Sequence, residues 1–180
     1  GIEQAMWDIK GKYLGVPVYE LLGGKVRDRI QVYRWIGGDH PRDTASAARE
    51  AVAQGYKAVK MNGTDELRWI DSHRKLQETV ERVQAIRDAV GPDLGIAVDF
   101  HGRVHKTMAR TLMQMLEPYQ LMFVEEPVLC ENEEEFLELR RSANIPIAAG
   151  ERNFTRWGFK SMLLHGGIDI VQPDVSHCGG

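Results

Sequence analysis

The chain has 180 residues, a formal net charge of −3, 43% hydrophobic and 27% charged residues. That length fits one domain, and the composition is that of an ordinary soluble globular protein. A slightly acidic chain without a basic patch speaks against nucleic acid as partner, and no apolar run reaches the ~18 residues of a membrane span.

The first residues, Gly1 to Ala5, carry neither the basic nor the apolar region of a signal peptide. Two cysteines, Cys130 and Cys178, are too few for a disulfide framework, so a reducing, cytoplasmic setting is expected. Helical character from the first residue and a stop at Gly179-Gly180, just after a strand-like run, suggest a portion of a longer protein.

In chain order, Ile2, Ala5, Met6, Ile9 and Leu14 have helical spacing, and Gly15-Val16-Pro17 ends that helix. Val18 to Leu22 adds a short helical turn before Gly23-Gly24. Ile30 to Trp35 alternates as a strand. Asp43 or Thr44 is placed to cap a helix running to Gln54, which Gly55 stops. Tyr56 to Asn62 reads as the next strand, with Lys60 and Asn62 on one face at its end. A longer connection over 63–71 leads to a helix over 72–90 with Leu76, Val80, Val83, Ile86 and Val90 as its apolar stripe. Further strand candidates end at Asp99, Glu125, Glu151 and Asp174, separated by helices over 107–116, 132–141 and 154–165.

Strand and helix thus alternate six times. That pattern predicts a parallel sheet with helices outside it. Six βα units in 180 residues fit a portion of a (β/α)8 TIM-type barrel. An open doubly wound sheet is the rival, but no Gly-x-Gly-x-x-Gly turn follows any strand, so dinucleotide binding has no support.

The acids are the main functional signal. From 99 to 125, 125 to 151 and 151 to 174 the steps are 26, 26 and 23 residues, close to the roughly 30 residues of a βαβ unit. Acids at the C-terminal ends of consecutive parallel strands sit where such folds place their sites. Asp99, Glu125 and Glu151 brought together would repel one another, and a divalent cation removes that cost. An all-oxygen set suits Mg²⁺.

Strand alternation puts His101 on the side of Asp99, with Phe100 opposite, so His101 is the candidate proton carrier. Its plain alternative is a structural histidine. Lys60 can bind a substrate carboxylate, act as a base, or be a surface lysine. Arg152 can contact a polyol or simply pair with an acid. Asp174 is placed to orient an imidazole from another strand. His177 reads as loop, and His40, His73, His105 and His165 as surface residues.

Val98-Asp99-Phe100-His101, Val124-Glu125-Glu126-Pro127, Gly150-Glu151-Arg152 and Val171-Gln172-Pro173-Asp174 resemble the barrel of the enolase superfamily, mandelate racemase subgroup. Ala5 to Lys12 and Leu21-Leu22-Gly23-Gly24 resemble the start of that barrel domain, and the resemblance spans essentially the whole chain. It implies an acid-sugar (aldonate) dehydratase, with galactonate the nearest substrate and gluconate or mannonate as alternatives. Mg²⁺ on Asp99, Glu125 and Glu151 would bind the sugar acid's carboxylate. Lys60, Asn62 and Arg152 would contact substrate. His101 would be the acid that expels the C3 hydroxyl, and a histidine paired with Asp174 the base at C2.

Racemases of the subgroup carry Lys-x-Lys where this chain has Lys60-Met61-Asn62, which favours histidine-based dehydration over a racemase or epimerase. The same resemblance implies that an N-terminal capping domain and the last barrel strands lie outside this chain. It also implies a homo-oligomer at full length. A metal-binding barrel fragment without activity is the non-enzymatic alternative.

Overall fold

The computed structural model describes residues 1–65 and 67–178. The elements follow in the order α1 (Ile2–Leu14), α2 (Val18–Leu21), β1 (Arg34–Trp35), α3 (Pro41–Ala53), β2 (Ala58–Asn62), α4 (His73–Val90), β3 (Gly95–Asp99), α5 (Lys106–Leu116), a 3₁₀ turn (Glu117–Tyr119), β4 (Phe123–Glu125), α6 (Glu133–Ser142), β5 (Ile147–Ala149), α7 (Thr155–Leu164) and β6 (Ile170–Val171). All six strands form one sheet in the order β1-β2-β3-β4-β5-β6, and every neighbouring pair is parallel. Each strand lies beside its predecessor. A doubly wound sheet would reverse its order at a switch point, so the winding is that of a (β/α) barrel. Among the described residues the sheet is an arc of six strands that does not close.

The sheet is buried by its helices on one face. Val59, Met61, Ile96, Val98, Val124, Ile147 and Ala149 join Leu76, Val83, Ile86, Leu112, Met113, Leu116, Phe136 and Leu139 in one continuous core. Strands buried in this way read as near-continuous apolar runs, as Ile96 to Val98 does. The opposite face holds a small separate cluster of Ala97, Phe123 and Ala148, with Met122 and Ile170 against it. Lys60 is paired with Ala97, and Ala97 with Phe123; Asn62, Asp99 and Glu125 are likewise paired across three strands. Period-two alternation therefore leaves the polar residues of β2, β3 and β4 on this second face, gathered at its C-terminal edge.

Helix α3 can lie close to α4 because its buried residues are small: Ala45, Ala48 and Ala51. Arg87, near the end of α4, ties the opposite edge of the sheet. Its guanidinium donates to the carbonyls of Tyr119 at 2.9 Å, Leu94 at 2.6 Å and Gln120 at 3.0 Å. Helix α1 buries only Gly11 and packs on α2. Among the described residues no helix is long and apolar enough to cross a membrane.

Several boundaries differ from the sequence reading, each for a local reason. The expected strand over 30–35 is reduced to Arg34–Trp35, because only these two residues find partners, on Val59 and Lys60. Helix α3 begins at Pro41 rather than after Asp43 or Thr44; Pro41 occupies the first turn, where a missing N–H costs nothing, and Thr44 Oγ1 donates instead to the Pro41 carbonyl at 3.0 Å. Strand β3 ends at Asp99. His101 has φ 52°, in the left-handed region, so it belongs to a turn and not to the strand.

Candidate active site

The site is built at the C-terminal edge of β2, β3 and β4, where parallel pairing sets Asn62 beside Asp99 and Asp99 beside Glu125. Asp99 and Glu125 are 2% and 3% exposed. Two buried carboxylates at one spot need a cation, and here Lys60 supplies it. Its ammonium lies 2.7 Å from Glu125 Oε2 and 3.4 Å from Asp99 Oδ2. Burial of Lys60 disfavours its charge, but the hydrogen bond and charge of Glu125 and the charge of Asp99 outweigh that and hold its pKa above the usual lysine value. Asp99 is pushed upward, first by burial and then by the charge of Glu125, against the opposing pull of the His101 amide and of Lys60.

His101 meets Asp99, though not by strand alternation. The left-handed turn folds it back so that both its backbone N and its ring Nδ1 reach Asp99 Oδ1, at 2.8 and 3.2 Å. This engages Nδ1 and leaves Nε2 as the ring nitrogen away from Asp99. Arg152 Nη2 donates to the His101 carbonyl at 3.3 Å.

Glu151 is not gathered into this cluster. Among the described residues no three His, Cys, Asp or Glu side chains stand close enough to hold one ion. The register gives the reason. Glu125 is paired with Ala148, three residues before Glu151, and β5 ends at Ala149. Gly150 then turns the chain at φ 137°, and the side chain of Glu151 remains 38% exposed beside Arg152, at 3.9 Å. Gly150 cannot be replaced freely: a Cβ there would meet Phe159 Cε1 at 2.5 Å. Asp174 is exposed in the turn after β6, where its Oδ1 accepts the Ser176 amide at 2.7 Å.

Four residues at this edge escaped the sequence reading. Gln172 Nε2 donates to Glu125 Oε2 at 3.2 Å. Tyr33 places its ring 5.6 Å from the Lys60 ammonium. His177, read as loop, brings Nδ1 to 3.1 Å from the Glu151 carbonyl oxygen. Glu126 is fully buried at φ 43°, accepts the Gly150 amide on Oε1 at 2.8 Å, and is raised to a pKa of about 7, chiefly by burial. Of the four, Gln172 had a usable signal, since it lies two residues before Asp174 on the same strand-end run.

The donor set accords with a hard cation. Asp99 and Glu125 supply paired carboxylate oxygens, balanced in the metal-free chain by the Lys60 ammonium. Three further buried oxygens along the strand ends, Asn62 Oδ1, Gln172 Oε1 and Glu126 Oε2, have no hydrogen-bond partner. Buried acceptors without donors are uncommon, and a water, an ion or a donor-bearing ligand satisfies them. A cavity of about 790 Å³, lined by residues including Trp69, Gly102, Arg103, His105 and Leu129, opens beside the turn that follows His101.

Comparison with known proteins agrees with the fold. Residues 43–180 match the family described as enolase C-terminal domain-like, and residues 1–23 match the mandelate racemase/muconate lactonizing enzyme N-terminal domain. The chain is 53% identical, over all its 180 residues, to a D-galactonate dehydratase of Xanthomonas euvesicatoria pv. vesicatoria, of which it covers 47%. It is 52% identical over the same span to a D-galactonate dehydratase of Ralstonia nicotianae, again covering 47%. The chain therefore spans about half the length of the curated relatives it matches.

Among solved structures, a member of the enolase superfamily from Salmonella Typhimurium superposes with a TM-score of 0.92 at 37% identity, over 98% of this chain and 50% of that one. A mandelate racemase/muconate lactonizing enzyme-like protein from Rubrobacter xylanophilus superposes with a TM-score of 0.89 at 36% identity, over 97% and 50%. Sheet order, strand-end acids and these matches agree, and the chain belongs to the enolase superfamily, with its mandelate racemase/muconate lactonizing enzyme members.

Proposed function

We propose that the full-length protein is a Mg²⁺-dependent dehydratase of aldonates, with D-galactonate the leading substrate and a 2-keto-3-deoxy acid as product. The observation that carries this reading is the buried Asp99–Glu125 pair at the C-terminal strand edge, bridged by Lys60 and adjoined by Asn62 and Gln172, each with an oxygen that has no donor. Relatives at 52–53% identity that carry the name D-galactonate dehydratase support the choice of substrate.

In this reading Asp99 and Glu125 would hold the metal ion, with Glu151, which stands beside Arg152 in the metal-free chain, as the third carboxylate. When bound, the ion supplies Lewis-acid stabilisation of negative charge on the substrate carboxylate. Lys60 is the cation of this chain that meets that carboxylate, since it already serves two carboxylates at the same spot. Asn62 offers an oxygen that has no other partner, and Arg152 lies beside the His101 turn; both contact the polyol. His101 delivers a proton from Nε2 to the departing C3 hydroxyl, its ring fixed through Nδ1 by Asp99. Asp174 orients an imidazole that acts as base at C2. Loss of the C2 proton and the C3 hydroxyl amounts to loss of water, and the enol left behind tautomerises to the keto acid.

The test is a panel of diastereomeric aldonates offered to the full-length enzyme with and without Mg²⁺. A keto acid formed from D-galactonate only in the presence of the ion is the expected result. Exchange of the C2 hydrogen for deuterium without loss of water would instead indicate a racemase or epimerase.

A further inference from the structure

Glu126 follows a candidate metal ligand yet has no place in the chemistry above. It is completely buried, and its φ of 43° lies in the left-handed region that residues other than glycine seldom adopt. Such a conformation persists only where the surroundings enforce it. Here three hydrogen bonds do so. The Glu126 amide donates to the Ala148 carbonyl at 2.9 Å, its carbonyl accepts the Gly102 amide at 2.8 Å, and its Oε1 accepts the Gly150 amide at 2.8 Å.

Two of these partners are direct neighbours of candidate working groups: Gly102 follows His101, and Gly150 precedes Glu151. The third, Ala148, is the β5 residue paired with Glu125. One residue thus joins three strand ends. Holding the Gly150 amide needs an acceptor, and a buried carboxylate whose other oxygen is unpaired is a costly one to use.

We propose that Glu126 is the positioning residue of this edge: its carboxylate and backbone together fix the turns that carry Glu151 and His101. This rests on the reading of those two residues as working groups. The side-chain arm is the testable one, since the backbone bonds survive substitution. Glu126→Gln keeps the acceptor for the Gly150 amide. Glu126→Met keeps length, volume and burial but removes it.

Both variants of the full-length protein are compared by hydrogen exchange at the Gly150 amide and by Mn²⁺ affinity from electron paramagnetic resonance. In Glu126→Met the Gly150 amide exchanges about tenfold faster or more, the loss of one hydrogen bond, and Mn²⁺ binds about 10–100-fold more weakly, as when an outer partner of a metal ligand is lost. Glu126→Gln keeps both within about threefold of the parent chain.

The proposal is overturned if the Met variant keeps the parent's exchange and affinity, or if the Gln variant loses as much as Met. It is also overturned if only the Met variant fails to fold, since the acceptor is then a stability element alone. A parent chain that binds no Mn²⁺ sinks the metal reading of the site, and Gly150 exchange still decides the clamp.

Discussion

Lys60 illustrates how one residue balances this site. Its ammonium lies within 3.4 Å of both buried carboxylates. Removing one member of a buried ion cluster leaves uncompensated charge, a loss of about 3–5 kcal/mol. Lys60→Met should therefore lower metal-free stability by about that much at neutral pH, measured by urea denaturation. The deficit should shrink in acid, as Asp99, whose pKa is raised, takes up a proton, and millimolar Mg²⁺ should restore part of it at pH 7. A Lys60→Met chain as stable as the parent without metal would mean that the carboxylates are not charged together. Glu126 makes a pH prediction of the opposite kind. Its folded pKa of about 7 lies above the ordinary value of 4.5. Between those values the unfolded chain has already released the proton that the fold retains, so stability falls as pH rises from about 4.5 to 7. The shift corresponds to about 3 kcal/mol, and Glu126→Gln should flatten that part of the stability–pH curve relative to the parent, in the presence of chelator. A curve unchanged by the substitution would place the carboxylate in water.

At the scale of elements, the turn between β5 and α7 decides where Glu151 stands. Gly150 is its pivot, at φ 137° and with no room for a Cβ beside Phe159. Gly150→Ala combines backbone strain with a clash against a buried ring, and should destabilise the chain by about 2–4 kcal/mol, read from the urea midpoint. Such pivots explain which parts of the molecule were legible in the sequence. Elements with a strong period were: the stripe of α4 and the apolar run of β3 appear as expected, because helix and strand periods follow from backbone geometry alone. The strand-end acids were legible for the same reason. Their mutual distances were not. Equal spacing of 26 residues from Asp99 to Glu125 and from Glu125 to Glu151 suggests equal register, yet β3 reaches its acid while β5 stops two residues short of its own. Register depends on loop and helix lengths summed through tertiary packing, which no local pattern encodes. The same holds for Tyr33, which joins the site only once the segment before β1 is laid beside its neighbours.

The whole sheet raises a different issue. Among the described residues β1 pairs only with β2, and β6 only with β5. Each outer strand is only two residues long, and its outer side leaves a few backbone groups open to another strand. Trp35 in β1 and Val171 in β6 are 56% and 41% exposed, so the edges are apolar as well as unpaired. A parallel sheet wound in one direction resolves such edges by meeting itself or by meeting another copy. The 180-residue chain should accordingly self-associate with rising concentration, seen as a growing weight-average mass in sedimentation equilibrium. Val171→Lys, which sets a charge at the partly exposed β6 position paired with Ala149, should shift association to higher concentration by about tenfold or more, the effect expected of a gatekeeping lysine on an open edge strand. It should leave the urea midpoint within about 0.5 kcal/mol of the parent, as for a surface substitution. A chain that stays monomeric at the highest soluble concentration, with or without the lysine, would mean that the edges are covered by other segments in solution.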